Sequence, residues 1–316
     1  MQIFRGRDTL QHPLTHPVIA IGNFDGVHLG HQKILSLAVE EAQARDGHSI
    51  AFTFKPHPQV ALNPQRKLQL LSTYSEKIEI FKQLGLDFTI EEPFSREFSS
   101  TEPKRFFTDI LLDQLKAECI VVGYDFGFGR NRGGHLDLLT ELCAYANVQL
   151  IIVPPFSLHG EVTSSSRIRA YLLEGKIAEA NLLLGRKFSY RGIVTHGDAR
   201  GRKLEFPTAN LTLEDKLTLP FGVYATWAKL GDCSFPSVTN VGIRPTFQAA
   251  DAASMPEPIV ETHILDQSLD LYGHTLEVSF VCRIRSEKKF SHLEDLKRQI
   301  QEDALAAKKL LSSSTP

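Results

Sequence analysis

Two histidines spaced three residues apart, His28 and His31, stand in a glycine-rich segment whose residue types could hold a phosphate group and assist its transfer. The segment 22–31 follows the apolar run 18–21 and precedes the amphipathic run 33–39, an order that predicts a strand, a tight turn and a helix. Glycines let a phosphate approach the backbone, and the free N–H groups at a helix start favour an anion. Residues three apart share a helix face, so both imidazoles could stabilise charge that develops during phosphate transfer.

The same residues have plainer interpretations. A single Gly-x-x-x-Gly spacing is often only a turn, and two histidines at a helix start could be surface groups or half of a metal site. The phosphate interpretation is favoured by the joint occurrence of Asn-Phe-Asp-Gly, His-x-Gly-His and a preceding apolar run. Through these motifs the segment resembles the HxGH-type nucleotidyltransferases, and more closely the adenylyltransferase half of the prokaryotic riboflavin kinase/FMN adenylyltransferase (FAD synthetase) family. The resemblance implies a catalytic role for both histidines and nucleotide-binding roles for Gly22, Phe24, Asp25 and Gly30.

Length and charge narrow the class of protein. At 316 residues the chain is long for one core, which favours two domains. A hydrophobic content of 42% and a charged content of 23% are those of a globular protein. The net charge of −2 gives no support to a nucleic-acid-binding surface. No apolar stretch approaches the ~20 residues that span a bilayer, and the N-terminus lacks the apolar region of a signal peptide. We therefore expect neither nucleic acid nor membrane as a partner, and a cytoplasmic location.

The cysteines are few and widely separated. None of them forms a Cys-x-x-Cys pair, and the four positions are Cys119, Cys143, Cys233 and Cys282. This usage predicts buried free thiols in a reducing compartment.

The first half of the chain alternates strand-like and helix-like segments. These are the predicted strands 49–54, 86–90, 119–123 and 148–153 and the predicted helices 75–84, 103–115 and 136–145. Such alternation predicts an α/β domain with a parallel sheet and helices on both faces, in which ligands bind beyond the carboxyl ends of the strands. The two histidines, the turn at His57 and the turn after Gly123 follow such ends. The resemblance implies a Rossmann-like nucleotidyltransferase domain.

The pattern changes near Gly185. From there, short alternating runs separated by glycine and proline turns predict an antiparallel barrel or sandwich, and a periodic run at 293–311 predicts a C-terminal helix. Residues 248–258 are rich in alanine and proline and predict an exposed loop. We expect one domain at 1–185 and a second at 186–312. The resemblance implies an FMN adenylyltransferase domain followed by a riboflavin kinase β-barrel.

A glycine- and aromatic-rich loop at 122–134 could hold a planar ring, and its arginines could hold a phosphate; the alternative is a mobile turn. The resemblance places this loop and the Pro-His-Pro turn at 56–58 around the flavin. The residues that it implies for flavin binding are His57, Asp125, Phe126, Phe128 and, from the second domain, Arg285.

A serine-rich run at 162–169 precedes a predicted helix. Such a run is by default an N-cap, although hydroxyls, free N–H groups and arginines together also suit a triphosphate. It resembles the family's Ser-Ser-Thr-x-Ile-Arg motif, with Ser166 in the threonine position. The resemblance implies that Ser164, Ser165 and Arg167 hold the triphosphate tail.

In the second half, the Pro-Thr-Ala-Asn segment at 207–210 matches riboflavin kinases; without the family it is an ordinary strand end. The resemblance implies that Thr208 and Asn210 place oxygens on a Mg²⁺ that bridges ATP phosphates, a ligand set suited to a hard cation. It further implies nucleotide binding by Gly192, Gly201, Arg202, Thr208 and Asn210. Glu205 departs from the glycine that is usual in the family, which puts ATP affinity in question, since a carboxylate repels a triphosphate.

Glu261 lies in an alternating run at 260–264, where a glutamate is ordinarily an outward-facing residue. The resemblance implies that it is the general base for the ribityl 5′-hydroxyl.

The resemblance covers nearly the whole chain and implies two activities, ATP-dependent phosphorylation of riboflavin to FMN and adenylylation of FMN to FAD. The implied partners are the small molecules riboflavin, FMN, FAD and ATP, with Mg²⁺ as cofactor. The oligomeric state is not readable, and a monomer is compatible with the sequence. Three alternatives stay open: an enzyme with one degenerate half, a flavin-binding sensor that has lost turnover, and a relative that acts on another nucleotide partner such as nicotinate nucleotide or phosphopantetheine.

Overall fold

The computed structural model describes residues 1–10, 13–65, 68–195, 206–213, 216–243, 258–267 and 269–315. The chain divides into two compact units, Met1–Ser165 and Ser166–Pro316. Each unit has its own sheet and is described separately.

The first unit is built on a six-stranded parallel sheet. Its strands are β1 (Gln2–Phe4), β2 (Val18–Ile21), β3 (Ser49–Lys55), β4 (Phe88–Pro93), β5 (Cys119–Gly123) and β6 (Gln149–Val153), in the spatial order β1-β4-β3-β2-β5-β6. A short hairpin of β7 (Ser157–Leu158) and β8 (Glu161–Val162) follows. Because β2 lies between β3 and β5, the strand order reverses at its end, which is where open α/β sheets bind their ligands.

Among its described residues, six α-helices accompany this sheet. They are α1 (Leu29–Gln43), α2 (Pro58–Leu62), α3 (Tyr74–Gln83), α4 (Arg96–Ser99), α5 (Pro103–Arg105) and α6 (Leu136–Ala146). The predicted helix 103–115 continues beyond α5 as a π-helix, Phe106–Gln114. Single 3₁₀ turns occur at Arg7–Thr9 and Arg130–Arg132.

Both faces of the sheet are covered. All four residues of β2 are buried: Val18 and Ala20 join one apolar cluster, and Ile19 and Ile21 join another. Successive side chains of a strand point to opposite faces, so the two clusters lie on opposite sides of the sheet. This confirms the predicted parallel sheet with helices on both faces.

The second unit contains a closed six-stranded antiparallel barrel, in the spatial order β10-β13-β12-β11-β14-β9. Its strands are β9 (Ser189–Thr195), β10 (Ala209–Leu213), β11 (Gly222–Leu230), β12 (Cys233–Ile243), β13 (Pro258–Ile264) and β14 (Thr275–Ser286). In the described part of this unit there are also the helices α7 (Ser165–Glu174), which begins at the last residue of the first unit, α8 (Ile177–Leu184) and α9 (Leu293–Leu311). Of the two architectures left open by the alternating pattern, the barrel is the one observed, and the C-terminal helix is confirmed.

Helix α8 belongs with the barrel because Asn181 ties it to β14 and to the residue that precedes β9. The Asn181 Nδ2 donates to the carbonyl oxygen of Phe280 at 2.8 Å, and its Oδ1 accepts from the N–H of Phe188 at 2.7 Å. The predicted division at residue 185 falls at the end of this helix, where Gly185 is the C-cap in a left-handed conformation. The compact units divide earlier, between Ser165 and Ser166 at the start of α7, so that α8 falls within the second unit.

Four buried hydroxyls form a continuous chain inside the barrel. Thr226 Oγ1 lies 2.8 Å from Ser237 Oγ and 2.7 Å from Thr239 Oγ1, and Thr239 Oγ1 lies 3.0 Å from Thr262 Oγ1. None of the four side chains is more than 1% exposed. Each hydroxyl thereby satisfies its neighbour in a place where water does not reach.

We expect the substitution Thr226→Val to destabilise the protein by about 1–3 kcal/mol, because it leaves the hydroxyls of Ser237 and Thr239 without their shared partner. A fall in the thermal unfolding midpoint would report the loss. The matched control is Thr212→Val, since Thr212 is exposed on β10. Equal midpoints for the two variants would contradict a stabilising role for the hydroxyl chain.

The four cysteines differ in burial. Cys119 and Cys143 are buried free thiols as predicted, and Cys282 is half-buried, but Cys233 is exposed at the first position of β12. Its prediction as buried was wrong because a strand residue next to a hairpin turn is not covered by neighbouring strands. The predicted loop 248–258 lies outside the described residues except for Pro258, the first residue of β13.

Candidate active sites

His28 and His31 lie together at the start of α1, immediately after β2. His28 is the N-cap, and its Nδ1 accepts a hydrogen bond from the backbone N–H of His31 at 3.3 Å. The two imidazole rings stack with centroids 3.6 Å apart and planes at 19°. The structure therefore brings the two predicted catalytic histidines onto one face of the helix.

The hydrogen bonding and the surroundings define how these rings can act. Because His28 Nδ1 is an acceptor, the ring proton of neutral His28 resides on Nε2 and can be donated. Burial, the adjacent His28 and then Lys77 lower the pKa of His31 well below 6.5. The Nδ1 of His31 is buried and has no hydrogen-bond partner among the described residues. A buried polar atom without a partner is unusual in a native protein and indicates a place for a ligand.

Phe24 forms the support beneath His31. Its backbone has a positive φ of 50°, its side chain is buried, and its ring meets His31 edge-on at 5.4 Å and Phe81 at 5.7 Å. A Cβ on Gly22 would come within 3.0 Å of the same ring. Phe24 and Gly22, predicted to bind nucleotide, are thus placed to hold His31 and to keep the turn compact.

Asp25 connects three separate segments of the first unit. Its carboxylate Oδ1 accepts from the N–H of Leu71 at 2.9 Å, and its carbonyl oxygen accepts from Ser165 Oγ at 3.0 Å. The second bond spans 140 positions of sequence and brings the predicted serine motif to the glycine turn. Ser164 immediately precedes Ser165, and Arg167 lies on the first turn of α7.

Gly30 lies under the His28 ring. A Cβ at this position would stand 3.2 Å from His28 Cε1 and 3.3 Å from its Nδ1, so a side chain here must displace the imidazole. The helical backbone itself would accept a side chain, because the φ of Gly30 is not positive. Glycine is therefore required by the ring and not by the helix.

We expect Gly30→Ala to lower FAD formation from FMN about tenfold, since small displacements of a catalytic group are costly. The thermal midpoint should not fall, because alanine is favoured over glycine in helices by ~1 kcal/mol. The control is Glu40→Ala, at an exposed position of the same helix. An unchanged rate in Gly30→Ala would show that the His28 ring position is not critical.

A buried lysine, Lys77 on α3, lies near the histidines and was not singled out from the sequence. Its Nζ donates to Thr53 Oγ1 at 3.1 Å and to the carbonyl oxygen of Asn23 at 3.5 Å, and it lies 5.0 Å from the centre of the Tyr74 ring. A signal was available, because Lys77 is four residues before the buried Phe81 and so occupies the apolar face of a helix.

The two predicted flavin segments follow the strands on either side of β2. His57 follows β3; its Nδ1 accepts from the N–H of Gln59 at 3.2 Å, and its own N–H donates to the Tyr74 hydroxyl at 2.9 Å. After β5, the rings of Phe126 and Phe128 stack 5.6 Å apart at 13°. Both segments therefore lie at the carboxyl edge of the sheet, as predicted.

The members of the aromatic loop differ in exposure. Phe128 is buried and packs 5.8 Å from Phe106, Phe126 is half-buried, and Asp125 is exposed. The Arg132 guanidinium donates to the carbonyl oxygen of Asp125 at 3.0 Å. Phe128 anchors the loop, which leaves Phe126 and Asp125 accessible to a ligand.

In the second unit, three polar residues stand side by side on adjacent strands. Glu261 on β13 pairs in register with Asn210 on β10 and with Asn240 on β12. The flanking residues Val260 and Thr262 are buried in the barrel, so the row faces outward. Cβ atoms of directly paired residues lie about 5 Å apart, which brings the carboxylate and both amides together.

Thr208 joins this row from the segment before β10. It precedes Asn210 by two residues, a spacing that places both on one face of an extended chain. The His263 ring, two residues beyond Glu261, is hydrogen-bonded to the carbonyl oxygen of Pro207 at 2.8 Å. This bond fixes the predicted Pro-Thr-Ala-Asn segment beside the strand that carries the predicted base.

The remaining predicted residues of the second unit are placed differently. A Cβ on Gly192 would meet the carbonyl oxygen of Thr212 at 2.2 Å, so the glycine permits close strand packing. The Arg285 guanidinium forms a two-pronged ion pair with the buried Asp303 of α9, with Nη2 to Oδ2 at 2.7 Å and Nε to Oδ1 at 2.9 Å. The positive charge of Arg285 is thereby neutralised by a carboxylate of the same unit. Gly201, Arg202 and Glu205 lie outside the described residues.

Comparisons with known proteins match both units. The FAD synthetase family model matches residues 10–167, and the riboflavin kinase family model matches residues 184–311. The bifunctional riboflavin kinase/FMN adenylyltransferase of Escherichia coli strain K12 is 34% identical over 318 residues, covering 100% of both chains. The protein of the same description from Buchnera aphidicola subsp. Schizaphis graminum is 35% identical over 311 residues, covering 98% of each, and that from Bacillus subtilis is 34% identical over 300 residues, covering 94% and 93%.

A solved structure from Streptococcus pneumoniae, described as a macrolide-efflux protein, has the same fold. It matches with a TM-score of 0.86 and 30% identity, covering 97% of this chain and 98% of its own. The description belongs to that protein. In the part of this chain that the structure describes, every helix is too short or too polar to cross a bilayer.

The matches extend over the full length of the chain and include both the His-x-Gly-His turn and the Glu261 strand. The chain belongs to the bifunctional riboflavin kinase/FMN adenylyltransferase family and carries the two steps of FAD biosynthesis, from riboflavin to FMN and from FMN to FAD.

Proposed function

We propose that the two reactions occur at separate sites, adenylyl transfer at His28 and His31 in the first unit and riboflavin phosphorylation at Glu261 in the second. The observation that carries the first assignment is the stacking of the His28 and His31 rings. In addition, the buried Nδ1 of His31 has no hydrogen-bond partner among the described residues. The observation that supports the second is the register that places Glu261 between Asn210 and Asn240.

In adenylyl transfer, an oxygen of the FMN phosphate attacks the α-phosphorus of ATP, and the bond to pyrophosphate breaks. The attacking phosphate is already an anion, so the step needs no strong base. Burial lowers the pKa of His31 well below 6.5, so His31 is uncharged before ATP binds. Both histidines donate hydrogen bonds to phosphate oxygens as charge moves toward pyrophosphate. The N–H groups at the start of α1 assist from the same side.

The serine motif is proposed to hold the far end of the triphosphate. Ser165 is tied by its hydroxyl to the glycine turn, which supports a position for Ser164 and Ser165 close to the histidines. Arg167, on the same helix start, would add a charged donor. The contribution of all three residues is positioning of ATP for in-line attack.

In the phosphorylation of riboflavin, Glu261 is proposed to take the proton of the ribityl 5′-hydroxyl as that oxygen attacks the γ-phosphorus of ATP and ADP leaves. An alcohol becomes far more acidic as it bonds to phosphorus, so a carboxylate of ordinary basicity is sufficient. The neighbouring amides of Asn210 and Asn240 lie in the same outward row and can orient the hydroxyl and the phosphate.

The oxygen-rich row fits Mg²⁺. The Asn210 amide shares a face with the Glu261 carboxylate, and Thr208 precedes Asn210 by two residues, the spacing of one face in an extended chain. Few oxygen ligands suit a cation that keeps several waters. Thr208 and Asn210 would hold the ion, which supplies positive charge to the ATP phosphates when bound.

A product assay tests the proposal. The purified protein would be incubated with riboflavin, excess ATP and Mg²⁺, and the flavins would be separated by chromatography over time. We expect FMN to appear first and FAD to follow. FMN without FAD would refute the assignment of the first unit, and FAD from supplied FMN without conversion of riboflavin would refute that of the second.

A further inference from the structure

Lys77 is a buried cation whose hydrogen-bond partners are both uncharged. Lys77 is only 4% exposed. Its Nζ donates to the Thr53 hydroxyl at 3.1 Å and to the Asn23 carbonyl oxygen at 3.5 Å. Among the described residues no carboxylate forms an ion pair with it. Removing an ammonium from water without a charged partner is costly, and groups of this kind concentrate at functional sites.

Lys77 lies between the histidine turn and the predicted flavin turn. It lines a small cleft together with Asn23 and Asp25 of the first turn, and with His57 and Tyr74. The Tyr74 hydroxyl accepts the N–H of His57, and Lys77 Nζ lies 5.0 Å from the centre of the Tyr74 ring. The charge of Lys77 is also one of the influences that lower the pKa of His31, after burial and His28. The ammonium is therefore near both groups at once.

The charged and titratable groups that face Lys77 come from several elements. Glu91 on β4 and Asp25 after β2 favour its charged form, whereas Lys55 on β3 opposes it, and burial is the largest influence. Together these lower the pKa of Lys77 to about 8. Lys77 is thus still mostly an ammonium at pH 7 and loses its charge as the pH rises past 8.

We propose that Lys77 binds the phosphate group of FMN and holds it for attack on ATP. This inference rests on the proposed function of the first unit. The nucleophilic phosphate must lie between the flavin ring and the α-phosphate of ATP, and Lys77 lines a cleft with His57 and with Asn23 and Asp25 of the turn that leads to His28 and His31. An ammonium with weak neutral partners can exchange them for a phosphate oxygen, and a charge-assisted bond of this kind is among the stronger hydrogen bonds in proteins.

The variant Lys77→Met tests the proposal by kinetics of adenylyl transfer with supplied FMN. We expect the KM for FMN to rise about 10- to 100-fold, the loss expected for one charged hydrogen bond to a phosphate, while the KM for ATP changes less than about twofold. The matched control is Lys82→Met, the same substitution at an exposed position of α3, which should leave both constants as in the wild type.

A pH profile of the wild-type protein supplies a second, independent readout. The second ionisation of a phosphate monoester lies near pH 6, so FMN is fully charged above pH 7. We expect kcat/KM for FMN to fall above pH 8 as Lys77 loses its proton, and the same profile in Lys77→Met to be flat in that range. The wild-type profile remains informative even if the variant folds poorly, which circular dichroism would reveal.

Three results would overturn the inference: an unchanged KM for FMN in a folded Lys77→Met protein, an equal rise in the KM values for FMN and ATP, or a wild-type profile that does not decline above pH 8. Failure of the proposed function looks different, because the wild type would then make no FAD from FMN at any pH. The two failures are therefore separable in one set of assays.

Discussion

The substitution His31→Ala should lower the rate of FAD formation from supplied FMN by about 10²–10³-fold while FMN formation from riboflavin continues at the wild-type rate. The loss corresponds to removing one preorganised donor from the phosphate that develops charge. His31 is the residue whose buried Nδ1 lacks a partner among the described residues, and whose ring stacks on His28 and rests on Phe24. The measurement is a steady-state assay of each half-reaction with its own flavin substrate.

The control for this prediction is His135→Ala, because His135 is exposed and its side chain makes no capping bond at the start of α6. It should retain both activities. If His31→Ala kept full FAD formation, the histidine pair would be a structural feature and the active site would have to lie elsewhere. If it lost both activities equally, the separation of the two sites would be wrong.

The substitution Glu261→Gln should reduce riboflavin phosphorylation by about 10²–10⁴-fold, since glutamine keeps the size of the side chain but cannot accept the proton of the 5′-hydroxyl. FAD formation from supplied FMN should be unaffected. Glu261 pairs in register with Asn210 and Asn240, so the amide has neutral neighbours and the barrel should stay folded. The rate of FMN formation, measured with riboflavin and ATP, reports the effect.

A matched control is Glu277→Gln on β14, which is half-buried, alternates with the buried Leu276 and Val278, and has no predicted role. It should phosphorylate riboflavin at the wild-type rate. A Glu261→Gln protein with undiminished FMN formation would exclude the carboxylate as general base.

Local features of the sequence predicted the central strands and longer helices of the first unit and the barrel of the second, but not β1, α2, α4, α8 or the β7–β8 hairpin. Apolar runs of four to six residues marked β2, β3, β5 and β6, and a change from helical to alternating spacing marked the barrel. The three-residue spacing of His28 and His31 predicted that they share a face at the start of a helix, whereas the stacking of their rings is seen only in the structure. These features depend on residues close together in the chain.

Contacts between distant segments could not be predicted from spacing. The bond from Ser165 to the Asp25 carbonyl spans 140 positions, and the ion pair of Arg285 with Asp303 joins a strand to the last helix. A single sequence carries no pattern that specifies which far residues meet. Arg285 illustrates this. It is a predicted flavin ligand, but its ion pair with Asp303 is seen only in the structure, and its role toward the flavin is a proposal.

The roles of the buried residues Lys77 and Phe24 were also not evident from the sequence. Lys77 was not predicted because it belongs to no recognisable motif and lies on the apolar face of α3. Phe24 stays a predicted nucleotide-binding residue, and the structure adds that its buried ring contacts His31. In both cases burial, which the sequence shows only through periodicity, determines what the side chain can do.

Mixing the two inactive variants tests most directly the claim that one chain carries two independent active sites. His31→Ala and Glu261→Gln proteins would be supplied, separately and together, with riboflavin, ATP and Mg²⁺, and FAD would be measured. We expect FMN alone from the first, almost no product from the second, and FAD from the mixture, because FMN released by one protein is adenylylated by the other. A mixture that forms no FAD, with FMN accumulating to levels that the wild type converts, would contradict the account.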